Sequence, residues 1–111
     1  MFISSKVLLA EELLEQMYRL EKEKETDTAI EFLFEKTNDL YMKKRFDVVD
    51  SMMERLDLDE ISTDLEIAFL SITFMAKDDL KNRGLLVERV KKSLRKKYEE
   101  SRTHNLLRGL E

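Results

Sequence analysis

A chain of 111 residues, 42% apolar and 40% charged, can bury one core but not two, so a single domain over 1–111 is expected. It contains no cysteine, which excludes a disulfide framework, a thiolate nucleophile and a cysteine-ligated zinc site, and leaves no mark of an oxidising compartment. The net charge of -4 conceals a split: residues 1–80 carry 10 basic and 20 acidic side chains, whereas 81–108 carry 10 basic and 3 acidic, and such polarity favours either internal neutralisation or an oppositely charged partner.

Proline is absent, glycine occurs only at Gly84 and Gly109, and Leu, Glu, Lys, Arg and Met dominate, all of which keep most of their rotamer freedom in a helix. An all-α fold of four or five antiparallel helices follows. Met1 to Ala10 has Lys6 as its only lysine, with four apolar residues after it. That is neither a secretory signal nor a membrane span, so a cytoplasmic protein is expected.

The first helix is predicted over Ser5 to Glu25, because Val7, Ala10, Leu13, Leu14, Met17 and Leu20 fall on one stripe at spacings of three and four, with Ser5 as N-cap. Thr28 and Glu31 have the spacing of a capping box and open a second helix, Ala29 to Lys43, whose apolar face holds Ile30, Leu33, Phe34, Thr37, Leu40 and Tyr41. A third helix carries Phe46, Val49, Met52, Met53 and Leu56. Asp57 to Ser62 is a connector, and Thr63 with Glu66 forms a second capping-box pair before a fourth helix that is apolar almost all round: Leu65, Ile67, Ala68, Phe69, Leu70, Ile72, Phe74 and Met75. Such a helix must be covered on several sides, or its extra face is an interface. Beyond the polar stretch Lys77 to Arg83, with Asn82 a cap candidate, the last helix carries Leu86, Val90, Leu94 and Tyr98 on one side and extends toward Gly109.

The two hairpins align at an offset of 34 residues: Leu33 falls on Ile67, Leu40 on Phe74, Phe46 on Leu80, Met53 on Val87 and Leu56 on Val90. Leu33 to Leu56 resembles the tetratricopeptide repeat, whose period is 34 and which places apolar packing residues where Leu40, Phe46, Val49, Met53 and Leu56 stand. The chain departs from that pattern at Thr37, Lys44 and Ile61. The resemblance implies two stacked hairpins behind an N-terminal helix and an interaction scaffold with a groove; a plain antiparallel bundle is the other arrangement the periodicity allows.

Chemistry-bearing constellations are few. The one histidine, His104, lies near the tail without a serine nucleophile motif upstream and reads as an exposed residue at a helix end. Glu11 and Glu15 share a helical face but lack the histidine of a di-iron bundle, and Asp57, Asp59, Glu60 and Asp64 lack the glycine and terminal acid of a calcium loop. No cofactor or metal is expected, and the chain reads as a non-enzyme. The tail residues Leu106, Leu107 and Leu110 either dock back or form a short recognition segment.

The expected function is a protein–protein interaction, adaptor or regulatory domain with an apolar, helix-lined surface and a charged rim, with Met52, Met53 and Phe69 as candidate partner-binding anchors. The opposed charges make a homodimer a second expectation. Lys91, Lys92, Arg95 and Lys96 are candidate phosphate contacts for an alternative reading, a nucleic-acid-associated protein. A third reading takes Glu11, Glu12, Glu15, Asp47, Asp50 and Glu54 as the acidic surface of a mimic that occupies a basic partner.

Overall fold

Among the described residues five α-helices follow one another in the order that the apolar periodicity sets: α1 (Ser5–Glu23), α2 (Thr26–Met42), α3 (Phe46–Arg55), then a 3-10 turn (Leu58–Glu60), α4 (Thr63–Met75) and α5 (Arg83–Gly109). The computed structural model describes residues 4–75 and 80–109, the last helix by its backbone alone at 101 and 103–109. Among the described residues there is no strand, and the all-α expectation is met. The readings made for the side chains of His104, Leu106 and Leu107, and for Lys77 and Leu110, lie outside the described residues.

Helix ends differ from the sequence reading where tertiary contacts outweigh local capping. The N-cap of α1 is Ser4, one residue before Ser5, and its hydroxyl accepts the Val7 N–H at 3.4 Å. The Thr28–Glu31 box does not form. α2 starts earlier, after Glu25, and Thr26 donates its hydroxyl to Glu21 Oε1 (3.4 Å), so the helix start is tied to α1. At α4 the cap is Ser62, whose hydroxyl accepts the Leu65 N–H at 3.3 Å, and Glu66 is thereby released from the box and turns into the core. α2 ends in a Schellman motif: Arg45 N–H bonds to Leu40 O (2.8 Å) and Lys44 N–H to Tyr41 O (3.0 Å). This places Lys44 at φ 56°, a left-handed conformation that disfavours any side chain bearing a Cβ.

α1 lies across the α2–α3 hairpin and buries Ala10, Leu13, Leu14 and Met17 against it; α2 packs on α4, and α5 packs on α4 and α3. The core continues through Leu33, Val49, Met52, Met53, Leu65, Phe69, Ile72, Leu86 and Val90. Burying each larger apolar side chain stabilises the fold by about 1.5–3 kcal/mol. Polar links fix the order of layers. Tyr18 accepts the Asp57 N–H at 3.0 Å, and Glu21 Oε1 accepts the Ser62 N–H at 2.8 Å, so α1 holds both ends of the α3–α4 connector. Asp50 of α3 accepts the Asn82 N–H at 2.7 Å, which positions the start of α5.

Candidate docking groove between the second and fourth helices

Met52, Met53 and Phe69 are not surface anchors. All three lie in the core, with 1%, 1% and 2% of their surface exposed, because the faces of α3 and α4 that bear them meet α1, α2 and α5. A partner meeting this structure touches none of them.

The basic arc of α5 divides in two. Arg89 and Lys97 turn inward: Arg89 donates to Met53 O and Leu56 O at the C-terminal end of α3, where a cation complements the helix dipole. Lys97 donates to Leu58 O (3.3 Å), Ile61 O (2.8 Å) and the buried carboxylate of Glu66 (3.0 Å). Lys91, Lys92, Arg95 and Lys96 stay exposed, and Lys91 lies 3.5 Å from Glu88. Tyr98, expected on the packed side, is exposed, since packing of the described side chains ends at Lys97.

The acidic candidates are also partly engaged within the fold. Glu11 pairs with Arg55 across α1 and α3 (2.7 Å), Asp47 with Arg45 (3.1 Å), and Asp50 with Asn82. The Arg45 guanidinium holds the Asp47 carboxyl below the usual carboxylate range. Among the described residues no group of three or more acids, histidines or cysteines converges as a metal site would require. No described helix is long and apolar enough to cross a membrane.

The surface with the right chemistry for docking lies between α2 and α4. A groove of about 310 Å³ is lined by Phe34, Glu35, Thr37, Asn38 and Tyr41 from α2 and by Ile72 and Met75 from α4. Tyr41 donates its hydroxyl to Ile72 O at 3.0 Å, which locks the two helices together and forms the floor. Burial pushes that hydroxyl up to about 12, so it remains a donor across the ordinary pH range. Phe34 and Met75, which line the groove, are 42% and 67% exposed, whereas Phe74 turns to another side of α4, with the Arg83 guanidinium 5.6 Å from the centre of its ring. Asp27, Glu31, Glu35 and Asp39 recur every four residues on the exposed side of α2 and supply an acidic rim; Asp39 is held by Lys43 at 3.1 Å.

Comparison with known protein families, curated proteins and solved structures finds no match. The case for the groove therefore stands on its chemistry. A larger open depression, about 390 Å³, is lined by Glu15, Tyr18, Arg19, Lys22, Glu23, Asp57 and Glu60, and there Lys22 and Glu60 already pair at 2.9 Å. That depression is lined mainly by charged side chains, whereas the α2–α4 groove leaves aromatic and aliphatic surface in water.

The sequence contained a signal for this face. An all-round apolar α4 cannot bury every side, and of its exposed apolar residues Met75 falls on the groove. Phe34, read as part of the packed face of α2, is its other half. The inward roles of Glu21, Glu66, Arg89 and Lys97 had no comparable signal, because a charged side chain on an amphipathic helix has the same spacing whether it meets water or a carbonyl.

Proposed function

We propose that this chain is a non-enzymatic protein–protein interaction domain whose docking face is the groove between α2 and α4. The observation that carries the proposal is the apolar surface of Phe34 and Met75 left exposed in a groove with an acidic rim. Apolar side chains clustered on one face of a folded domain, rimmed by polar groups, are a recurrent sign of a partner surface. The partner chemistry that suits it is an amphipathic helix with one or two large apolar anchors and a basic flank. The stacking of α2 on α4 and of α3 on α5 supports the scaffold role that the repeat resemblance implies. The test is capture of a binding partner by the wild-type chain and by Phe34→Asp/Met75→Asp. Exposed positions tolerate such changes, so helicity and unfolding midpoint should be retained while capture is lost. Retained capture by the folded double variant would refute the groove.

A second reading rests on Lys91, Lys92, Arg95 and Lys96, all exposed on one helix, as phosphate contacts of a nucleic-acid-associated protein. It calls for affinity for DNA or RNA that falls steeply between about 50 and 200 mM salt and disappears when the four are changed to Gln. Binding that is absent at the lower salt, or unchanged by the substitutions, would rule it out.

A further inference from the structure

We propose that the occupant of the α2–α4 groove is α5 of a second copy of this chain, so that the domain self-associates by reciprocal docking. This rests on the groove reading above and names its partner. Two surfaces on one molecule are complementary in shape class and charge. The first is the groove, with Phe34 and Met75 as its apolar lining and Glu31 and Glu35 beside it on the exposed side of α2. The second is an exposed face of α5. Lys91, Arg95, Tyr98 and Arg102 recur at spacings of four, three and four, which places them on one side of the helix, and all four are exposed. Tyr98, 65% exposed, is an aromatic anchor in a basic surround.

The placement of that face matters as much as its composition. Lys97 is the last described side chain of α5 that grips the bundle, through Leu58 O, Ile61 O and Glu66, yet the helix continues to Gly109. At 1.5 Å per residue the part beyond Lys97 runs for roughly 18 Å. The molecule is correspondingly long, 54 Å against 31 and 30 Å on its other axes. A helix extending from the bundle with an aromatic and three cations on one side suits a helix-lined groove with an acidic rim, and within one chain Tyr98 does not line that groove. Reciprocal docking in a two-fold dimer makes the contact twice and closes the assembly. Opposing charges, Lys91, Arg95 and Arg102 against Glu31 and Glu35, set the register and exclude like faces. Three acids on α5 bear on this. Glu88 lies 3.5 Å from Lys91, and Glu99 and Glu100 follow Tyr98. Glu99 stands four residues after Arg95 and three before Arg102, so the basic face is partly offset along its length and the aromatic anchor Tyr98 carries more of the contact.

Sedimentation velocity of the full chain over micromolar to millimolar concentrations tests this. The wild type should show a monomer–dimer equilibrium that weakens with salt, and Tyr98→Ala should weaken it at least about tenfold. The decisive arm uses two charge-reversed variants, Glu31→Lys/Glu35→Lys and Lys91→Glu/Arg95→Glu. Each should be monomeric alone, with helicity retained, because its groove and its α5 then carry the same sign. An equimolar mixture should dimerise, because each variant's α5 then meets a groove of opposite sign. A wild type that stays monomeric at millimolar concentration, or a mixture of folded variants that fails to dimerise, would overturn self-docking. In either case partner capture that depends on Phe34 and Met75 would leave the groove itself standing.

Discussion

Lys97 Nζ lies 3.0 Å from Glu66 Oε2, and the carboxylate it meets has no exposed surface. The pair joins α5 to the first turn of α4, and the same ammonium donates to two carbonyls of the connector before it. The remaining Glu66 oxygen, Oε1, has no hydrogen-bond partner among the described residues. Lys97→Met should therefore destabilise by about 3–5 kcal/mol, because it strands a buried charge, while Glu66→Leu/Lys97→Met should recover most of that loss. Urea unfolding midpoints measure both. A single variant as stable as wild type would mean that the carboxylate is not held this way.

Lys44 is the second point of stored cost. At φ 56° its Cβ crowds the backbone, and glycine is free of that penalty. Lys44→Gly should stabilise by about 1 kcal/mol, raising the thermal midpoint by roughly 4–8 °C for a domain of this size. Lys44→Val should lower it. Calorimetry that ranks the two the other way would place the α2 end in a different conformation.

Tyr41 gives an alkaline signature. Its folded pKa is raised to about 12 from an ordinary value of 10.0, so its contribution is fully present below pH 10 and is lost as pH rises toward the folded value. Tyr41→Phe should cost about 1 kcal/mol at neutral pH through loss of the bond to Ile72 O. It should also flatten the decline in stability above pH 10. Chemical unfolding measured at neutral and alkaline pH in both proteins reads the difference.

Core and groove should separate cleanly. Phe69→Ala opens a cavity among buried residues and should cost about 3–5 kcal/mol, whereas Phe34→Ser, at an exposed site, should stay within about 0.5 kcal/mol of wild type. Equal costs would mean that Phe34 is a packing residue and the groove is closed.

Much of the fold was legible in the sequence. Spacings of three and four placed Ala10, Leu13, Leu14, Met17, Leu33, Leu40, Val49, Leu86 and Val90 in the core. Helix starts were less legible, since the local boxes at Thr28 and Thr63 competed with Glu21 and Ser62, whose partners are remote or one residue displaced. The candidate anchors Met52, Met53 and Phe69, expected at a partner surface, lie a layer deeper, in the core. Periodicity identifies an apolar face but not which part of it another helix covers, so Phe69 and Phe74 read alike although only Phe74 meets water. Nor does spacing separate Arg89 and Lys97, which turn inward, from the exposed cations of the same helix.

The α2–α4 groove is proposed as the place where a partner docks. Its most direct test places a photo-cross-linking amino acid at Phe34, at Met75 and, as a control, at exposed Glu12 on α1, followed by irradiation in extracts of cells that express the protein. Discrete adducts from positions 34 and 75, absent from position 12, are the predicted result, and their masses distinguish a second copy of the chain from another protein. No adduct from the groove positions, or the same adducts from all three, would contradict it.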